Sequence, residues 1–164
     1  MREGALATFA ETYEPAPSTP QVSGNFHVAM GDSYDRDGRH IHQFLPSEVG
    51  TWNASHAVHS ISFGSPFPGQ SSPLSGRRQT VADGSATYQY FVKIVPTTYH
   101  FRNGSKIETN QYSVNEAAKL IPADPNARSA VALPGVFVAY EISPFLVEAR
   151  EESVAFSAFL TRVI

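Results

Sequence analysis

The chain has 164 residues, of which 41% are hydrophobic and 16% charged. This length fits a single folded domain, and the composition excludes a largely disordered protein. The formal net charge of −3 and the scattered basic residues argue against a nucleic-acid partner, and the absence of cysteine excludes a disulfide framework and a cysteine zinc site.

The first 21 residues are predicted to form a leader that is extended or poorly structured. Pro15, Pro17 and Pro20 disfavour regular structure there. The apolar stretch at residues 5–10 is too short for a signal peptide. No segment reaches the ~20 apolar residues that span a bilayer, so the sequence itself shows no route into the secretory pathway.

Strand patterns dominate the next hundred residues. Alternating or β-branched and aromatic runs predict strands at residues 22–29, 40–45, 57–63 and 87–101. Pro96 cannot donate to a ladder and therefore marks an edge position, a bend or a bulge. Residues 32–37 are expected to form a solvated acidic loop, and the Pro, Ser and Gly of residues 65–84 predict a long exposed loop.

A hairpin and one helix are predicted next. Asn103 and Gly104 both tolerate positive φ, so residues 97–101 should pair with residues 106–114 through a tight turn. Residues 113–116 read Ser-Val-Asn-Glu, which fits a capping box, and apolar residues follow until Pro122. This pattern predicts a short helix ending near residue 121.

The last part of the chain predicts two more strands and an apolar end. Residues 136–142 and 145–150 are separated by Pro144 and could form a meander. Residues 153–164 are apolar enough for a helix. Many strands, Gly and Pro punctuation and little helix predict a mainly β fold, an antiparallel β-sandwich with one short helix.

Histidines are the strongest candidate site residues. His40 and His42 stand two apart on a predicted strand, so both rings could bind one metal ion. His56 and His59 form a second pair, whereas the histidines at positions 27 and 100 are isolated. The alternative is a set of polar surface residues that are close only in sequence.

A cupin-like metal enzyme is the alternative function for a histidine pair in a β-sandwich. It would use His40, His42 and one of the histidines at positions 56, 59 and 100. The glycines and the glutamate that this motif requires are wrongly spaced, since Glu48 comes too late after the pair. No catalytic residue, metal or cofactor is therefore predicted.

Two sequons could accept N-linked glycans. They begin at Asn53 and Asn103 and read Asn-Ala-Ser and Asn-Gly-Ser. Such a short pattern is weak by itself, and the hairpin turn explains Asn103 without a sugar.

Several ordered segments together resemble the lumenal domain of the ER–Golgi intermediate compartment proteins, the paired vesicle cargo receptors. They run from residue 22 to residue 144, and the segments LPGVFV (133–138) and YEISP (140–144) look closer to the larger subunit. The others lie at residues 22–27, 40–42, 53–56, 59–64, 68–69, 73–74, 88–97 and 109–114.

The resemblance implies a twisted lumenal β-sandwich between two membrane helices, with no known catalytic residues. It implies a hetero-oligomer with a paralogous subunit that cycles between ER and Golgi and retrieves ER proteins. It also implies a vesicle coat contacted through cytoplasmic tails, a membrane contacted through helices outside this chain, and glycosylation at Asn53.

The expected organisation follows from this resemblance. Residues 1–21 form the leader, residues 22–152 form the lumenal domain, and residues 153–164 start a membrane-proximal helix. The cysteine-rich region and first membrane helix of the family are absent from this sequence, which is expected to be a fragment, a truncated gene model or a divergent member. Because the Golgi lumen is more acidic than the ER, His40, His42, His56 and His59 are predicted to sense pH or bind cargo.

Overall fold

The computed structural model describes residues 7–13, 22–82, 85–121 and 132–152, and β-strands are the main regular structure of these residues. The mainly β fold class is confirmed. The strands are β1 (Ala7–Tyr13), β2 (Gly24–Ala29), β3 (Asp32–Arg36), β4 (Arg39–Gln43), β5 (His56–Phe63), β6 (Arg78–Gln79), β7 (Ser85–His100), β8 (Lys106–Ile121), β9 (Gly135–Ile142) and β10 (Val147–Arg150). The helical content of the described residues is one 3₁₀ helix, Pro46–Thr51.

The centre of the fold is the long hairpin of β7 and β8. Each strand has 16 residues, and the two pair along their whole length. Gly104 adopts a φ of 86°, and its backbone N–H donates to the carbonyl of Phe101 at 3.0 Å. The hairpin predicted at Asn103 and Gly104 is therefore confirmed.

The helix predicted for residues 113–121 is wrong, because these residues form the second half of β8. A helix there would need an apolar face to bury, but residues 115–120 are all exposed. Pairing with β7 gives their backbone groups hydrogen-bond partners along one continuous ladder. The long-range pairing thus overrides the local capping pattern and helix propensity.

Strands β9 and β10 lie one after the other along the same edge of β7. β8 occupies the whole opposite edge of β7. On the remaining edge, β9 runs parallel to residues 87–94 and β10 runs parallel to residues 97–100. The predicted meander is wrong, because the chain keeps its direction between these two strands instead of reversing.

Pro96 lies opposite the gap between β9 and β10. The carbonyl of Ile94 accepts a hydrogen bond from the backbone N–H of Ser143 at 2.7 Å, at the end of β9. Groups two residues apart on a strand face the same edge, so the nitrogen of Pro96 also faces this gap. The missing N–H of proline therefore removes no hydrogen bond from either parallel pair.

The strands form three sheets. A five-stranded sheet has the order β10-β7-β9-β2 with β8 on β7, a three-stranded sheet has the order β1-β5-β6, and β3 pairs with β4. The predicted antiparallel pattern is only partly right, because β1 with β5, β7 with β9 and β7 with β10 are parallel pairs. A sandwich arrangement of these sheets stays a prediction.

One apolar cluster joins side chains from the two larger sheets. It contains Tyr90 and Val92 of β7 and Ile61 and Phe63 of β5. Leu74, from the segment predicted to be an exposed loop, is only 1% exposed and also belongs to it. The exposed-loop prediction for residues 65–84 is therefore wrong at this position, because the core needs the leucine to fill it.

Two predictions about the ends of the chain remain predictions. β1 lies inside the predicted leader and pairs in parallel with β5, while residues 1–6 and 14–21 lie outside the described residues. The predicted membrane-proximal helix, residues 153–164, also lies outside them. The helical content that is described is too short and too polar to cross a bilayer.

Candidate functional site

A short exposed hairpin, β3–β4, carries the HxH pair. Arg36 and Arg39 are paired across a two-residue turn. The turn residues Asp37 and Gly38 have φ of 52° and 71°, the double positive φ of a tight hairpin. The loop predicted for residues 32–37 is thus wrong, because the Asp-Gly turn folds this acidic segment back against β4.

Gly31 links this hairpin to β2. Its φ is 92°, and a Cβ atom at this position would clash with the backbone oxygen of Gln43. Only glycine allows such a close approach with this backbone conformation. The tight link brings the carbonyl of Met30, at the end of β2, next to the ring of His42 on β4.

Three histidine rings meet where the β3–β4 hairpin approaches β2. We call His27, His40 and His42 the histidine cluster. One candidate ligand nitrogen from each lies within 4.8 Å of those of the other two. Nε2 of His27 and Nε2 of His42 are 2.8 Å apart, and the three pairs of ring centroids are separated by 5.0–5.1 Å. Pairing of His40 and His42 on one face was predicted, but the third member was not.

Hydrogen bonds orient two of these rings. Nδ1 of His42 donates to the carbonyl oxygen of Met30 at 3.2 Å. Nδ1 of His40 lies 2.9 Å from a carboxylate oxygen of Asp35 and donates to it. A neutral imidazole that donates from Nδ1 keeps a lone pair on Nε2, and Nε2 of His42 is the atom that lies beside His27.

The surroundings of His27 favour its neutral form. Its ring is half-buried and stacks on Phe137, with ring centroids 5.4 Å apart and an interplanar angle of 13°. Partial burial, followed by the neighbouring His42 and His40, lowers the pKa of His27. At neutral pH this imidazole therefore carries a lone pair rather than a positive charge.

The other predicted site histidines lie elsewhere. His56 is 1% exposed, and its Nδ1 donates to the carbonyl of Ala54 at 2.9 Å while its Nε2 accepts from the hydroxyl of Tyr90 at 2.7 Å. Burial lowers its pKa. His59 is exposed on β5, in a different sheet from β4. The structure thus brings His40 and His42 together and leaves the second pair apart from them.

His27 is the member that sequence reasoning missed. It stands 13 residues before His40 and carries no spacing signal of its own. The usable signals were the glycine at position 31 and the Asp-Gly turn, which together predict that the HxH strand folds back beside β2. The cupin-like alternative named a different third ligand, and the group of close ligand atoms in the described residues contains none of the histidines at positions 56, 59 and 100.

Asn53 lies in the turn before β5. It is exposed, its side-chain oxygen accepts from the backbone N–H of Ser55 at 2.7 Å, and its amide donates to the carbonyl of Val81 at 3.2 Å. Asn103 has a similar turn geometry, with its side-chain oxygen accepting from the backbone N–H of Ser105 at 2.9 Å. Both sequons therefore present the acceptor at a surface turn.

One face of the large sheet is open near its centre. Phe91 is 50% exposed there, and a groove of about 470 Å³ runs past it. The groove is lined by residues of β7, β8 and β9, including Lys93, Asn115 and Glu141. Phe91 thus adds an apolar contact to an otherwise mixed polar surface.

Comparisons with known proteins agree with each other. Residues 16–164 match the family described as "Endoplasmic reticulum vesicle transporter". The chain is 41% identical over 143 residues to "Probable endoplasmic reticulum-Golgi intermediate compartment protein 3" of Dictyostelium discoideum, which covers 87% of this chain and 37% of that protein. It is 34% identical over 146 residues to "Endoplasmic reticulum-Golgi intermediate compartment protein 2" of Danio rerio, with the same two coverages.

Among solved structures, the chain is similar to the one titled "Crystal Structure of Erv41p". The sequence identity is 31% and the TM-score is 0.45, over 58% of this chain and 42% of that one. The chain spans 37% of the length of each of these two curated relatives.

Proposed function

Because this chain belongs to the endoplasmic reticulum vesicle transporter family, we propose that it is the lumenal part of a cargo-receptor subunit in ER–Golgi transport. The observation that carries the proposal is the family match over residues 16–164, together with 41% identity to an ER–Golgi intermediate compartment protein. The receptor binds ER-resident proteins in the Golgi or the intermediate compartment and returns them to the ER.

The proposed receptor contains a second, paralogous subunit. Support comes from the relatives, since the chain matches both a protein numbered 2 and a protein numbered 3 of the intermediate compartment. The parts outside this chain would supply the membrane helices and the tails that contact the vesicle coat. In this arrangement the β-rich domain faces the lumen and is the part that meets cargo.

A binding function also agrees with the kind of surface that the chain presents. The exposed β3–β4 hairpin displays His40, whose side chain is 44% exposed, and Asp35, whose side chain is 81% exposed. These groups offer both charge and hydrogen bonds to another protein. His40 and His42 are proposed to contribute to cargo binding through this surface, whereas the pH-sensing role predicted for His40, His42, His56 and His59 stays a prediction.

Glycosylation at Asn53 is part of the same proposal, because N-linked glycans are added to lumenal segments. The acceptor is exposed and its turn leaves the side chain at the surface. A glycan here would stand beside the start of β5, away from the interior that contains His56.

The proposal is tested by purifying the complete tagged receptor subunit from its source cell. We expect the paralogous subunit to co-purify, together with ER-resident proteins. Replacement of both His40 and His42 by Gln should lower the recovery of those residents, whereas His59→Gln, at an exposed position on another sheet, should not. Recovery of neither the second subunit nor any ER resident would contradict the proposal.

A further inference from the structure

We propose that His27, His40 and His42 form a three-imidazole site for a divalent transition-metal ion of the zinc class. The inference goes beyond the transport function and does not rest on it. Its basis is the geometry of the histidine cluster, in which β2 supplies one ring and β4 supplies two.

The distances suit one ion bound by three nitrogens. Zinc binds imidazole nitrogen at about 2.0–2.1 Å with tetrahedral geometry, which places neighbouring ligand atoms about 3.3 Å apart. In the cluster, the candidate ligand atoms all lie within 4.8 Å of one another, and those of His27 and His42 are 2.8 Å apart. Small side-chain rotations therefore bring the three nitrogens to the required separation.

The outer contacts of the rings match those of bound metal ligands. A metal-binding histidine typically donates its second ring N–H to a carboxylate or a backbone carbonyl, which fixes the ring and strengthens the ligand. His40 donates from Nδ1 to Asp35, and His42 donates from Nδ1 to Met30. In its neutral form, a ring held in this way keeps the Nε2 lone pair for a metal ion.

The contact between His27 and His42 has one further consequence. Two neutral rings cannot both present a lone pair at 2.8 Å, so one Nε2 must carry a proton when no ion is bound. His42 already uses its proton on Nδ1, and His27 must therefore donate from Nε2. A cation between the rings would take the Nε2 lone pairs of both, and the proton of His27 would move through solvent to its Nδ1, which gives the other neutral tautomer.

The donor set selects the class of ion. Imidazole suits zinc, copper and nickel, whereas calcium and magnesium prefer oxygen ligands. Since the side chain of His40 is 44% exposed, a fourth position remains open to water or to a side chain from another protein. The ion would also fix the β3–β4 hairpin against β2.

The test uses the metal-free 164-residue chain and zinc chloride as the probe. Isothermal titration near neutral pH should show one zinc ion per chain, and zinc should raise the Tm because it binds the folded state. Magnesium should give neither effect. His42→Gln should abolish stoichiometric binding, and Asp35→Asn should weaken it about 10- to 100-fold by removing the partner of His40.

His59→Gln is the matched control, because it removes an exposed histidine outside the cluster and should bind zinc like the parent. Circular dichroism establishes that each variant is folded, and Asp35→Asn keeps the test valid if His42→Gln does not fold. If the folded parent binds no zinc, its three histidines form only a hydrogen-bonded cluster. That result overturns the proposal. Unchanged binding in both His42→Gln and Asp35→Asn overturns it equally.

Discussion

His56 and Tyr90 form a buried hydrogen bond between β5 and β7, with the hydroxyl of Tyr90 donating to Nε2 of His56 at 2.7 Å. Because Nδ1 of His56 donates to the carbonyl of Ala54, the arrangement requires the neutral imidazole. The ring also lies edge-on to Tyr88, at 4.9 Å between ring centroids. The pair joins the three-stranded sheet to the five-stranded sheet through the core.

This relationship predicts a pH-dependent stability. The pKa of His56 is lowered in the folded protein, so the unfolded chain binds a proton first as the pH falls. The contribution of His56 to the free energy of unfolding should therefore be complete above about pH 6.5, the unperturbed pKa. It should decrease as the pH falls from there toward the lowered pKa. Urea unfolding at several pH values measures this decrease.

The control for this prediction is His56→Gln. It should be less stable at neutral pH by about 1–3 kcal/mol, since a buried partner is lost, but its stability should depend less on pH. An equal pH dependence in the parent and in this variant would assign the effect to other groups.

Gly31 is predicted to be essential for the position of the β3–β4 hairpin. Gly31→Ala should destabilise the fold by about 3 kcal/mol or more, because the new Cβ meets the backbone of Gln43 and the φ of 92° is strained. Gly38→Ala is the matched control, since its φ is also positive but nothing lies within 4 Å. It should cost only about 1–2 kcal/mol. Equal losses of stability in the two variants would show that the close approach of Gly31 to Gln43 is not the cause.

The strand assignment of residues 113–121 can be tested at Ala117, which is exposed on β8 opposite Gln89. Threonine is favoured in strands and disfavoured in helices. Ala117→Thr should therefore raise the free energy of unfolding, by up to about 1 kcal/mol. A helix at this position would instead lose stability on the same change, so a clear decrease would contradict the strand.

Glycosylation is predicted at Asn53 in the native lumenal setting. Asn53→Gln should remove one glycan, seen as a single step in electrophoretic mobility that glycosidase treatment of the parent reproduces. Asn103→Gln is the comparison, because it removes a sequon at another exposed turn. An unchanged mobility for Asn53→Gln would argue against the modification and weaken the lumenal assignment.

Local patterns predicted the strands well where the turn chemistry was explicit. The hairpin at Asn103 and Gly104 is an example, since Gly104 adopts the positive φ of the turn and the strands pair up to His100 and Lys106 on either side of it. The helix after Ser113 was wrong because the capping pattern is local, whereas the ladder with β7 involves residues that are distant in sequence. The parallel placement of β9 and β10 beside β7 is likewise a long-range choice that no local pattern encodes.

The candidate site was only partly predictable for the same reason. The i and i+2 spacing correctly placed His40 and His42 together on β4. His27 joins them only because a tight link at Gly31 and an Asp-Gly turn fold the hairpin against β2. The burial of His56 was not predicted, because its position in a strand does not indicate that the hydroxyl of Tyr90 would donate to it in the core.

We propose that this chain is the lumenal part of a receptor that returns ER proteins from the Golgi. The most direct test is the secretion of ER residents that lack a carboxy-terminal retrieval signal, measured in source cells without the gene and in cells that regain the complete protein. These residents should appear in the medium when the gene is absent and should be retained again when the protein is restored. Full retention in the absence of the gene, with no other family member compensating, would contradict it.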